Sequence, residues 1–300
     1  MRKIFISALL LCGCATGFAQ LLNVSSVEKV NLPEGTLAGQ ATISPTGQFI
    51  VVSDMMKDGL KTYDLTTGEV KTITDASGIG SNVQISADGS TIVYRESKLG
   101  KDHLRRTNLK SVNLTNGEQK TIVKESRDLQ GYAVKDNAVA AVNKGKFKAS
   151  AAQAKTAPVA SISKGQLLVT VDGKTTTISP NGTTGQSYLW PSVSPDGTKV
   201  LYYLATVGAY TCNIDGSNPQ FIGALRAAKW YNNSIVVGMK DADNGQFVTS
   251  STVYAAYIDG KEMQALTDES VMAMYPSASA DGSKIAFSTP QGEAYIINVK

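Results

Sequence analysis

The sequence predicts an all-β protein: a six-bladed β-propeller of four-stranded antiparallel blades, closed by its own N-terminal strand. Three observations carry this prediction. One Ser-containing, Gly-ended turn recurs before short apolar strands, a second glycine turn recurs out of phase with it, and the chain stops one strand short of a whole number of repeats. Composition agrees, because 300 residues with 27 Gly and only 18% charged side chains suit strands joined by tight turns. The 42% hydrophobic content is enough for a buried core and rules out a disordered chain.

The first turn reads Ser44-Pro45-Thr46-Gly47, Ser86-Ala87-Asp88-Gly89, Ser194-Pro195-Asp196-Gly197 and Ser279-Ala280-Asp281-Gly282. Its chemistry is that of a hairpin: Ser and Asp side chains accept bonds from nearby backbone N–H groups, Pro presets φ, and Gly supplies a positive φ. The strands that follow begin at Phe49, Thr91, Lys199 and Lys284. The second turn ends in Gly68, Gly117, Gly173, Gly216 and Gly260, at intervals of 49, 56, 43 and 44 residues. Each unit is therefore a-b-c-d, with the first turn between a and b and the second between c and d. Two units carry eroded first turns, at 134–137 and 230–234. The long 56-residue interval reads as one blade with a loop insertion from Asn143 to Pro158.

Counting c strands gives six, the last being Ala294–Val299, with no d strand after it. An orphan strand at residues 27–32 resembles the other d strands and is predicted to complete the sixth blade. Closure of this kind leaves no long sheet edge open.

Residues 1–19 read as a secretory signal peptide: Arg2 and Lys3, an apolar run from Ile4 to Leu11, then Gly17-Phe18-Ala19 before Gln20. A lipoprotein leader with Cys14 acylated is the alternative. The expected product is one exported domain, 20–300, periplasmic or secreted, in which Cys212 is the remaining cysteine and forms no internal disulfide.

On its Ser-Pro-Asp-Gly repeats the chain resembles the TolB-like six-bladed propellers over roughly residues 23–300. The resemblance covers the propeller alone, without the N-terminal α/β domain of TolB. Propellers of the prolyl-oligopeptidase type are similar too, but no Gly-x-Ser-x-Gly elbow occurs here.

Catalytic chemistry finds little support. His103 is the single imidazole and lies in a polar, basic stretch, so it reads as a solvated loop residue. Cys212 reads as an inert core thiol. Asp241-Ala242-Asp243-Asn244-Gly245 departs from the EF-hand pattern, with Gly fifth and Thr252 twelfth. No catalytic residue, metal or cofactor is expected.

Binding features are clearer. Tyr188, Trp190 and Tyr275 occupy equivalent places just before strand a of the fourth and sixth units, and form a candidate aromatic rim at the channel mouth. The b–c connections of the second and third units carry Lys98, Lys101, Arg105, Arg106 and Lys110, then Lys144, Lys146, Lys148 and Lys155, against the single acid Asp102. These connections share a face with the d–a loops, so that face should be basic on one side, with Asp241 and Asp243 roughly opposite. The expected function is a non-enzymatic, monomeric binding scaffold for an envelope protein or peptide, with an anionic glycan or a membrane surface as other partners. Export and a small net charge argue against nucleic acid. The alternative is a glycan-acting hydrolase or lyase at the channel mouth, built from carboxylates of different blades.

Overall fold

The computed structural model describes residues 20–56, 58–79 and 82–300; the expected leader, with Cys12 and Cys14, lies outside them. The strands form seven antiparallel sheets arranged as the blades of a propeller. Blade 1 holds β2 (Gln40–Ile43), β3 (Phe49–Ser53), β4 (Leu60–Asp64) and β5 (Val70–Thr74). Blade 2 holds β6 (Gln84–Ile85), β7 (Thr91–Leu99), β8 (Arg105–Asn113) and β9 (Gln119–Ser126). Blade 3 holds β10 (Leu129–Lys135), β11 (Ala138–Asn143) and β12 (Lys146–Ala149), and blade 4 holds β13 (Val159–Ser163), β14 (Gln166–Val171) and β15 (Lys174–Thr177). Blade 5 holds β16 (Tyr188–Val193), β17 (Lys199–Leu204), β18 (Gly208–Asn213) and β19 (Gln220–Gly223). Blade 6 holds β20 (Arg226–Trp230), β21 (Ile235–Asp243), β22 (Val248–Tyr257) and β23 (Met263–Ala265). Blade 7 holds β24 (Met274–Ala278), β25 (Lys284–Ser288), β26 (Ala294–Val299) and β1 (Val24–Lys29).

The N-terminal strand closes the ring as predicted. β1 pairs antiparallel with β26, with Val27 opposite Ile297. It starts and ends three residues earlier than the sequence reading placed it, and the pairing carries on through Val30 N–H to the Ala294 carbonyl (2.8 Å).

The blade count is corrected from six to seven. The 56-residue interval holds six strands, not four plus a loop. β12 lies inside the expected insertion and β13 begins just after it, and they split one long unit into two three-stranded blades. Their hairpins turn on Lys144-Gly145 and Lys164-Gly165, with φ of 54° and 70° in the first and 51° and 76° in the second. Two consecutive positive φ angles make a type I′ turn, which fits the strand twist but needs neither Ser nor Asp. A search keyed to the Ser/Asp turns passes over it.

The packing gives the same count independently. Seven hydrophobic clusters occupy the seven seams, one between each pair of neighbouring blades. Most seams carry large side chains, such as Phe287 and Ile285 against Val237 between blades 6 and 7. The seam between blades 3 and 4 is small: Ala138, Ala140, Ala154 and Ala157 with Val142 and Val159. A short 3-10 turn, Ala152–Thr156, supplies Ala154 in place of a fourth strand. β10 and β13 approach so closely that a Cβ on Gly131 would lie 2.8 Å from the Ala160 carbonyl oxygen.

The a–b turns of blades 1–3 and 5–7, with the segment just before β13 standing in at blade 4, form a closed hydrogen-bonded and packed ring on what we call the lower face. Ala280 N–H donates to the Pro45 carbonyl (2.9 Å), the Tyr231 hydroxyl to the Gly282 carbonyl (2.6 Å), and Asp196 N–H to Asn233 Oδ1 (3.1 Å). Pro158 abuts Gly197, Lys135 Nζ donates to Thr156 Oγ1 (2.8 Å), Asn137 Nδ2 to Asp88 Oδ2 (3.2 Å), and Gly89 abuts Thr46. The b–c and d–a connections lie on the opposite, upper face.

Candidate functional site

The upper ends of three innermost strands share an unusual backbone. In β16, β20 and β24 the pairing to the next strand skips a register, between Leu189 and Ser192, between Arg226 and Lys229, and between Met274 and Ser277. Each skip holds one non-glycine residue in the left-handed region: Trp190 (φ 50°), Ala227 (φ 49°) and Tyr275 (φ 55°). Bulges re-aim side chains, and strained residues of this kind cluster at functional sites. The predicted equivalence of Trp190 and Tyr275 is therefore a shared backbone conformation. Both lie inside strand a rather than before it. The third member, Ala227, escaped notice because it lacks a ring.

Trp190 is 45% exposed and leans on Tyr203, with ring centroids 5.2 Å apart. Tyr275 is half-buried. Tyr188 does not reach the face. It is buried in the seam between blades 4 and 5, its ring 5.5 Å from that of Tyr202, and its hydroxyl donates to the Gly182 carbonyl (2.8 Å).

The predicted cations divide into paired and unpaired groups. β7 and β8 form a long projecting hairpin with Lys98, Lys101, Arg105 and Arg106 at or beside its tip. Arg106 grips Asp102 through two hydrogen bonds (2.7 and 2.6 Å) and holds that carboxyl well below the usual range. Lys98 pairs with Glu96 at 3.0 Å, and Lys110 pairs with the other oxygen of the same carboxylate. Burial pushes Glu96 up, but the two lysines outweigh it and the net shift is downward. Counting loop charges missed Glu96, because it lies inside a strand. Lys148 donates to the Ile122 carbonyl (3.1 Å), which binds blade 3 to blade 2. Lys144 sits in the β11–β12 turn and Lys146 opens β12, so these two are part of a hairpin rather than a long loop. Lys101, Arg105, Lys144 and Lys146 make no side-chain hydrogen bond or ion pair among the described residues.

The expected acidic counterweight does not form a surface. Asp241 is almost buried and bonds Arg226 (2.6 Å) and the Ser251 hydroxyl (2.7 Å). Asp243 accepts from Gly245 N–H within its own turn (2.9 Å). His103 is exposed at the β7–β8 tip. Cys212 is buried in the core beside Tyr210 and Ile214, and burial pushes its thiol up to about 12. A thiol that stays protonated is a poor nucleophile.

Apolar exposure is concentrated on the same face. Of the 14 large hydrophobic side chains exposed among the described residues, nine lie there. Leu37, Met55 and Met56 come from blade 1, Leu99 and Leu104 from blade 2, Leu189, Trp190 and Val207 from blade 5, and Phe247 from blade 6. Met56 and Phe247 are 81% and 71% exposed. Val171 and Tyr257 are the only two at the lower ends of strands, and the other three lie on outer strands. A recess of about 400 Å³ lined by Lys29–Leu37 and Gln291–Glu293 opens beside the closure seam.

No family model and no curated protein sequence matches the chain. Among solved structures, a chain of the mitotic checkpoint complex is similar with a TM-score of 0.62 and 10% identity, over 100% of this chain and 99% of that one. TolB from Acinetobacter baumannii gives 0.55 at 16% identity, over 79% of this chain and 56% of that one. A putative TolB from Agrobacterium tumefaciens gives 0.50 at 16% identity, over 87% and 89%. Likeness at these identities establishes the propeller fold, which the chain shares with the TolB structures.

Proposed function

We propose that the chain is a non-enzymatic binding scaffold of the TolB-like propeller type, exported to the cell envelope, that takes a protein or peptide partner on its upper face. The observation that carries this reading is the asymmetry of exposure: apolar tips and unpaired cations gather on one face of a ring whose other face is closed by its own turns. Solvent-exposed Met56, Leu99 and Phe247 contribute nothing to the core, and such projecting apolar groups among polar neighbours mark interaction surfaces. Trp190 and Tyr203 add a rigid aromatic anchor of the type that dominates binding energy. The enzymatic alternative needs convergent carboxylates with raised pKa values. The shifted carboxylates here all move downward, most of them through hydrogen bonds within their own turns.

Site-specific photo-crosslinkers placed at Leu99 and Phe247, and at Val171 and Tyr257 as lower-face controls, test the reading in cells that make the protein. A discrete adduct from the upper pair alone is expected. Equal labelling from both faces, or turnover of a polysaccharide library by the purified protein, would overturn it.

A further inference from the structure

One position recurs at the innermost point of five of the seven seams. Thr42 pairs across its blade with Val51, Gln84 with Val93, Ser192 with Leu201, Lys229 with Val237 and Ser277 with Ala286. Cross-strand partners share a sheet face, and each of these partners packs against the next blade. The five side chains therefore form a polar belt along five consecutive blades, 5, 6, 7, 1 and 2, at one level two residues before the a–b turn, and the matching residue of blade 3 is Ala133.

In two seams the belt residue bridges to the next inner strand. Gln84 donates to the Tyr132 carbonyl (2.9 Å) and accepts from Val134 N–H (3.1 Å), and Ser277 accepts from Ile43 N–H (3.3 Å). Lys229 has donors only, so it cannot take an N–H in this way. It makes no hydrogen bond or ion pair among the described residues. Densely surrounded, it keeps part of its surface, and because blades 5 and 7 cover both faces of its sheet, that surface opens toward the axis. One blade earlier, the buried Ser192 hydroxyl also has no partner. Burial holds the Lys229 ammonium below its ordinary pKa. An uncompensated cation in such a place is costly, and a serine, leucine or methionine would fill the space without that cost.

We infer that the axial channel at the level of Lys229 and Ser192 is a binding site for a carboxylate group of a ligand. The Lys229 ammonium supplies the charge, while the Ser192 hydroxyl, which has no partner of its own among the described residues, supplies a hydrogen bond. One lysine among neutral groups matches one carboxylate end of a ligand such as glutarate, whose second carboxylate lies several bonds away, better than a phosphate that gathers its charges on one centre. The site lies below the upper face and stands whether or not that face binds a partner.

The test is a titration of the purified protein with sodium glutarate, with sodium phosphate and sodium chloride as reference salts at equal ionic strength. Melting temperature and Trp230 emission in a Trp190→Phe background are the readouts. Saturable stabilisation by glutarate is expected, with affinity at least about tenfold lower in Lys229→Met and Lys229→Gln. In glutarate-free buffer Lys229→Met should be at least as stable as the parent. A glutarate response that is absent, that matches chloride, or that persists unchanged in either variant overturns the site. A response selective for phosphate overturns the carboxylate assignment. The parent-protein arms decide even where a variant fails to fold.

Discussion

On the lower face, the Ser86, Ser194 and Ser279 hydroxyls each donate to the Asp two residues on, at 2.6 Å, and each accepts the N–H of the residue that opens strand b, at 2.9–3.0 Å. On the upper face, connections of similar length end in Met56, Leu99 and Phe247. The carboxylates differ in the same way. Asp88 and Asp196 below are depressed by hydroxyl and N–H donors inside their own turns, whereas Asp102, Glu96 and Glu293 above rely on Arg106, Lys98, Lys110 and Lys29. One face is saturated with local hydrogen bonds and has little left to offer a partner. The other keeps apolar surface and charge in reserve. What this teaches is that turns satisfied by their own side chains and turns that leave apolar and charged groups exposed are segregated by the direction in which the strands run.

The largest effect should come from breaking the ring on which both faces depend. Deleting residues 20–32 removes β1 with the buried Leu22 and Val30 and bares the edge of β26. A loss of about 4 kcal/mol from these two side chains, with aggregation through the open edge, is expected in urea denaturation and light scattering. Next comes the small seam. Gly131→Val should cost about 2–3 kcal/mol, because the added methyl groups meet backbone and the Ser161 side chain.

A lower-face turn ranks third. Ser279→Ala removes a buried hydroxyl that serves both the Asp281 carboxylate and Lys284 N–H, and should cost about 1–2 kcal/mol by chemical denaturation. The same turns set the acid response. Asp88, Asp196 and Asp281 have folded-state pKa values below the unfolded value of about 3.9. Their contribution is complete above that pH and is lost as the pH falls through the lower, folded values. Stability should therefore decline below about pH 4, and Asp88→Asn should flatten part of that decline in pH-dependent melting. The smallest effect on stability belongs to the upper tips: Met56→Ser, Leu99→Ser and Phe247→Ser should each stay within about 0.5 kcal/mol of the parent, while weakening partner binding. A marked destabilisation by any of them would erase the contrast between the faces.

The propeller, its closure by the first strand and most of its hairpins were legible from residues alone. Ser194-Pro195-Asp196-Gly197 and its relatives form their turns from side chains within five residues of one another, so the chemistry is written locally and repeats visibly. The site was less legible. Trp190 and Tyr275 announced themselves as large rings in matched positions, but Tyr188, two residues from Trp190, faces the opposite environment because the bulge in β16 shifts the register. Glu96 pairs with two of the predicted cations because β7 and β8 run on as a long hairpin that brings Lys98 and Lys110 to it.

Local sequence thus determined that this chain folds into radial β-sheets with its two ends joined in one blade, since turn-forming side chains act over a few residues and leave a periodic trace. The number of blades, the Ala-lined seam between blades 3 and 4 and the place of Lys229 on an innermost strand without a charge partner among the described residues were decided by tertiary structure. A type I′ turn such as Lys164-Gly165 is compatible with many sequences, and whether β12 and β13 extend one sheet or divide it depends on which strands meet across the seam, partners that no short window contains.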